Sequence, residues 1–222
     1  MYFKSVTLST SKLEALKNFY VDTLGIEMVT ENEGEFSLKI GRSELTFVSC
    51  SSNHNPFYHF AITISGEHFS QAKKWAQSKV QLNKEDNEDE VYFKFLDAHS
   101  FYFEDPAGNV VEFIGRNSMN ADQSSFSMKS LLDLSEVNIT VEDVLDKGRA
   151  MLQEGFSEIF NQPLEPDSLN FLGNRDAYFL LGPVGRTWYF SNQLAESHPV
   201  TVELDTGRVV SLDHEGELKI RK

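Results

Sequence analysis

A strand, a helix and a run of further strands follow one another in the same order three times along this chain, and few architectures accommodate such a repeat. In the first copy, residues 2–9 alternate as a strand, with Val6 and Leu8 on one face. Ser11-Lys12-Leu13-Glu14 has the spacing of a capping box, and Leu13, Leu16, Tyr20 and Leu24 continue at helical intervals up to Gly25. Strands are expected at 26–30, 35–40 and 44–49. The second copy has a strand at 58–65, a helix at 67–79, and strands at 80–82, at 92–96 with an arm ending at Phe103, and at 109–114. A polar stretch at 117–129 reads as a linker. The third copy has a strand at 132–140, a helix at 141–154 with Thr140 as N-cap, and a hairpin with arms at 177–181 and 186–192. Residues 199–220 read as a terminal β-hairpin turning at Asp205-Thr206-Gly207. The repeat predicts an α+β fold of tandem βαβββ modules whose curved sheets form a cup. Residues 1–116 would be one domain of two modules, and 130–222 a degenerate third module plus the hairpin. An odd third module needs cover for its edge, so a homodimer, or packing against the first domain, is expected.

Within the second copy, residues 100–114 form the clearest hairpin. Asp105-Pro106-Ala107-Gly108 has type I turn chemistry, with Asp to accept from the backbone, Pro to set φ and Gly at the fourth position. Glu112, between Val111 and Phe113, is costly to bury in so apolar a strand unless something compensates its charge. Laid on the third copy, Glu112 falls at Tyr189, and His59-Phe60-Ala61-Ile62-Thr63 falls at Glu136-Val137-Asn138-Ile139-Thr140. The third copy thus keeps the scaffold and lacks the histidine.

Composition narrows the function. The net charge of −14 disfavours nucleic acid and anionic membranes as partners and favours a cationic small molecule. The run Glu85-Asp86-Asn87-Glu88-Asp89-Glu90 reads as a solvated loop rather than a cation site. No apolar run is long enough to cross a bilayer, the start has no secretory pattern, and a single cysteine, Cys50, cannot form an internal disulfide. A cytoplasmic protein is the simplest expectation.

Strand parity then picks out candidate ligands. Leu45 and Phe47 share a face, leaving Glu44 opposite. Phe60 and Ile62 share a face, leaving His59 opposite, and Val111 and Phe113 leave Glu112. If the apolar faces pack on the helices, Glu44, His59 and Glu112 look into one concave side. One imidazole and two carboxylates suit Mn, Fe, Ni or Zn. His54, His68, His99, His198 and His214 are scattered and expected at the surface.

The repeat, the segment Phe19-Tyr20…Leu24-Gly25 and the stretch Asp105-Pro106-Ala107-Gly108-Asn109…Glu112 together resemble the vicinal oxygen chelate superfamily. That superfamily has the glyoxalase/bleomycin resistance/dihydroxybiphenyl dioxygenase fold, and residues 1–116 carry most of the likeness. The resemblance implies a divalent metal between the first and last strands of two modules, placing Glu44, His59 and Glu112 as ligands. It puts Ser5 where a histidine usually stands. It further implies a small substrate chelated through neighbouring oxygens in isomerase- or lyase-like chemistry, with Glu112 or Glu44 as base. Two alternatives accompany that reading: a metal-free protein that sequesters a small molecule, as bleomycin-resistance proteins do, and an inactive scaffold. A dioxygenase is the weaker form of the enzyme reading.

Overall fold

The computed structural model describes residues 1–51, 55–121 and 125–222. Strands of the first module are β1 (Phe3–Thr10), β2 (Met28–Asn32), β3 (Glu35–Ile40) and β4 (Ser43–Ser49). The second module supplies β5 (His59–Ser65), β6 (Val91–Phe93), β7 (Ala98–Glu104) and β8 (Val110–Arg116). In the third lie β9 (Asp133–Val141), β10 (Ser157–Glu158), β11 (Asn170–Gly173) and β12 (Tyr178–Pro183). The C-terminal segment forms three strands rather than two, β13 (Val200–Leu204), β14 (Val209–Leu212) and β15 (Leu218–Arg221). The helices are α1 (Leu13–Lys17), which continues in π-helical turns over Asn18–Thr23, α2 (Phe69–Gln77) and α3 (Val144–Gln153). No helix among the described residues is long and apolar enough to cross a membrane.

In each module the first strand pairs in parallel with the last: β1 with β4, β5 with β8, β9 with β12. Modules then join through antiparallel first strands, and here the structure departs from the expected pairing. The second module joins the third through β5 and β9, giving an eight-stranded sheet ordered β10-β11-β12-β9-β5-β8-β7-β6. The first module joins the C-terminal strands through β1 and β13, giving a seven-stranded sheet ordered β15-β14-β13-β1-β4-β3-β2. Apolar register explains the choice. Phe3, Val6 and Leu8 of β1 stand opposite Leu204, Val202 and Val200, all of them buried. Every residue of β5 and β9 is buried, as befits central strands flanked on both sides.

α1 wedges between the two sheets. The Tyr20 ring stacks on Phe47 of β4 at 5.4 Å, and its hydroxyl donates to Asp105 Oδ2 at 2.7 Å in the turn between β7 and β8. Asp105 also accepts from the backbone N–H groups of Ala107 and Asn109, so the turn forms as its chemistry predicts. At the β3–β4 turn Gly41 has φ +56°, and a Cβ there would stand 2.0 Å from Leu132 O. Beside it Arg42 donates to Asp133 Oδ2 at 2.9 Å, tying the two sheets together.

Several local expectations are corrected. Ser11 does not cap α1; its Oγ donates to Asn55. Asp143, not Thr140, caps α3, because β9 runs on through Val141. Residues 80–82 are not a strand, and 186–192 are not a hairpin arm, since β12 pairs instead with β11 and β9.

Candidate active site

Sheet register builds the site. Tyr102, Glu112, Ala61, Glu136 and Tyr178 stand directly across from one another on β7, β8, β5, β9 and β12. Residues paired in this way share a face. The row is symmetric: a glutamate on each side of the small Ala61, and a tyrosine outside each glutamate. His59, two residues before Ala61, projects from the same face. One ligand atom each from His59, Glu112 and Glu136 falls within 4.8 Å of the others, and all three residues are buried.

The surroundings prepare those atoms to hold a cation. His59 Nδ1 lies 2.9 Å from Val110 O, a contact in which Nδ1 donates, and its Nε2 lies 3.5 Å from Glu112 Oε2. Glu112 Oε1 is buried with no hydrogen-bond partner among the described residues. Glu136 Oε1 accepts from the Tyr178 hydroxyl at 2.5 Å, with Arg116 Nη2 at 3.6 Å. Burial, then the nearby Glu112 carboxylate, pushes the Glu136 pKa up to about 7, against the pull of Arg116, His59 and Tyr178. The Tyr102 and Tyr178 hydroxyls are held well above their ordinary pKa, first by burial and then by those same carboxylates. Two buried carboxyl groups this close are costly to ionise together, a cost that a divalent cation removes. The donor set, the orphaned Glu112 oxygen and the imidazole Nε2 beside it therefore fit such an ion.

Above the row lies a cavity of about 150 Å³. Its walls are mainly aromatic, with Trp188 at 5.0 Å from the His59 ring and Phe93, Phe95 and Tyr189 nearer the mouth. Trp188 and Tyr189 belong to a strap after β12, folded on itself by the Gly185 and Ala195 N–H groups, which donate to Ala195 O and Arg186 O. Ser191 Oγ and Gln193 Nε2 tie the strap to Glu104 and to Gly108 O. Residues expected to be a hairpin arm thus form a cover over the site.

Of the expected site residues, the structure brings His59 and Glu112 together and adds Glu136. It does not bring Glu44 to them. Glu44 lies on β4 in the seven-stranded sheet, half-buried and paired with Ser5, so the missing imidazole at Ser5 takes nothing from the His59 group. Glu136 was legible as the residue aligned with His59, in a strand whose polar and apolar residues alternate, but pairing the first two modules left it without a partner site. By register the third-module counterpart of Glu112 is Leu180, not Tyr189, because Tyr178 pairs with Glu136 as Val110 pairs with His59. His54 lies outside the described residues. His68 is buried and His99 half-buried, and the His198 side chain packs against Phe57 and Tyr58, so these three are not surface residues; His214 is exposed. In the acidic run, Asp89 and Glu90 both pair with Lys73.

These paired βαβββ units and the polar row on their concave face define a protein with the vicinal oxygen chelate fold, as the sequence motifs suggested. A family model described as toxoflavin-degrading enzyme matches residues 134–186, the stretch from β9 to the start of the strap. Among solved structures, a Bacillus subtilis subsp. subtilis str. 168 protein provisionally named a dioxygenase covers 99% of this chain and 84% of its own, at 13% identity and a TM-score of 0.65. Shorter matches include a lactoylglutathione lyase from Agrobacterium tumefaciens (22% identity, 52% of this chain, 94% of its own, TM-score 0.41). Another is a glyoxalase/bleomycin resistance protein/dioxygenase from Alicyclobacillus acidocaldarius (20%, 52%, 91%, 0.39). No curated protein matches the chain.

Proposed function

We propose that the protein is a divalent-metal-dependent enzyme that acts on a small molecule carrying two neighbouring oxygens, with His59, Glu112 and Glu136 holding the ion. The observation that carries this reading is the convergence of three buried ligand atoms within 4.8 Å at the floor of a cavity. The ligands come from first and last strands, where the resemblance implies them, but from the second and third modules. Leu180 leaves the fourth position apolar. The match to a toxoflavin-degrading family model over the strand that carries Glu136 supports an enzyme.

An ion there supplies Lewis-acid stabilisation of negative charge developing on the substrate oxygens. The chain does the rest. Trp188, Phe93 and Phe95 exclude water and hold a planar substrate face-on, which strengthens every electrostatic interaction at the floor. Glu112, whose Oε1 is unpartnered, takes up or returns a proton at that oxygen in isomerase- or lyase-like chemistry. Glu136, held by Tyr178 and Arg116, stays fixed. The aromatic walls equally favour a second reading, in which the cavity sequesters its ligand without a metal.

Metal content after loading with Mn, Fe, Ni or Zn separates the two. Near one equivalent is expected for the native chain. His59→Ala and Glu136→Gln should each weaken binding by about tenfold or more, and Glu44→Gln should leave it unchanged. Less than a tenth of an equivalent in the native chain would overturn the enzyme reading.

A further inference from the structure

Arg186 is out of character with the cavity it lines. Among the described lining residues it is the one cationic side chain, at the start of the strap, where aromatic rings otherwise prevail. Its Nη1 donates to Thr187 O at 3.1 Å, and its guanidinium carbon lies 5.6 Å from the centre of the Trp188 ring. Arg42, Arg116, Arg149 and Arg208 each have a carboxylate beside them. The arginines without one among the described residues are Arg175 and Arg221, which are exposed, and Arg186, which is half-buried. A partly desolvated guanidinium that keeps donors unused gains most from an anion that brings two acceptor oxygens in one plane.

Geometry sets the size of that anion. Trp188 neighbours both the His59 imidazole and Arg186, its ring centre 5.0 Å from the centre of the one and 5.6 Å from the guanidinium carbon of the other. Those two steps laid end to end bound a length that one ring with a substituent at each end covers. The cavity volume agrees, since an engineered apolar cavity of about 150 Å³ takes a benzene ring.

We propose that Arg186 is a specificity-determining residue, which selects planar ligands bearing a carboxylate or similar anionic group at the end opposite the oxygens that face His59, Glu112 and Glu136. The orientation of the ligand rests on the metal reading, but the preference for an anion at the mouth does not. It reverses the expectation of a cationic ligand drawn from the net charge of −14, because one buried-side cation at the mouth acts at closer range than a dispersed acidic surface.

The test uses 3,4-dihydroxybenzoate and its near-isosteric neutral partner 3,4-dihydroxybenzamide, with benzoate and benzamide as forms that cannot chelate. Affinities are measured by calorimetry on the full chain, with Mn²⁺ and with chelator. The native protein should bind each carboxylate about tenfold more tightly than its amide, the scale of a hydrogen bond to a charged group. Arg186→Met should bring that ratio to within about twofold while leaving the amides bound as before, and Arg186→Lys should restore part of it. Equal binding of acid and amide, a ratio that survives in Arg186→Met, or no binding of any probe at millimolar concentration would overturn the proposal. Failure of the metal reading looks different: Mn²⁺ would fail to strengthen the dihydroxy pair, and the acid-to-amide ratio would persist.

Discussion

A carboxylate in a run of Val, Phe and Ile is a signal that survives without any structure, and Glu112 shows why. The side chain is as buried as its apolar neighbours, and one of its oxygens is left without a partner. Glu136 carries no such signal, since Ser135 and Asn138 stand around it, but its alignment with His59 was visible. What sequence could not supply was which first strands pair, because that depends on matching apolar residues far apart along the chain, as Phe60 with Val137 and Phe3 with Leu204. Asp105 makes a different use of burial. Burial raises its pKa to about 6, against the hydrogen bonds from Asn109, Tyr20 and Ala107 that favour the carboxylate. A folded-state pKa above the unfolded value of 3.8 means that the folded chain holds the extra proton between those two values. This residue's contribution to stability should therefore be greatest below about pH 4 and be lost as pH rises through about 6. Urea unfolding of the native chain and of Asp105→Asn, compared between pH 4 and pH 7.5, should show that component of the slope in the former and not in the latter.

At the level of elements, strands were legible wherever alternation was strong, and the turns at Gly25 and at Asp105-Pro106-Ala107-Gly108 fell where their chemistry put them. Misreadings clustered where a local pattern was satisfied by a distant partner. The Gly182-Pro183-Val184-Gly185 stretch resembles the earlier turn. Yet β12 had already found β11 and β9 as neighbours, so the residues beyond it were released to cover the cavity. Ser11 likewise bonds to Asn55 rather than to its own helix. The β3–β4 turn is where an element meets its limit of tolerance. Gly41 combines a positive φ with backbone contact against Leu132, so Gly41→Ala should cost about 2–4 kcal/mol by chemical denaturation, through strain and a displaced sheet junction. Gly207, also at positive φ but in open space, is the control, and its Ala variant should lose only the cost of the left-handed conformation, about 1–2 kcal/mol.

For the molecule as a whole, four first or joining strands are matched inside one chain: β5 with β9, and β1 with β13. The homodimer was expected because the third module lacked a partner. That reason is gone once β9 is paired, and the site needs no residue from a second copy. Light scattering at micromolar concentration should give the mass of a monomer, 25.3 kDa; a stable mass of twice that would contradict this.

Lys4 and Glu203 are bonded across the β1–β13 junction although 199 positions separate them. A ribosome delivers β1 well before its antiparallel neighbour β13, so the growing chain carries a ready, sticky strand while everything between them is made. The eight-stranded sheet, with its polar floor, needs only residues up to Pro183 and can assemble earlier. Loss of residues 199–222 should spare the sheet that carries the candidate site and still leave a protein that clumps, because an edge meant to be sealed stays open.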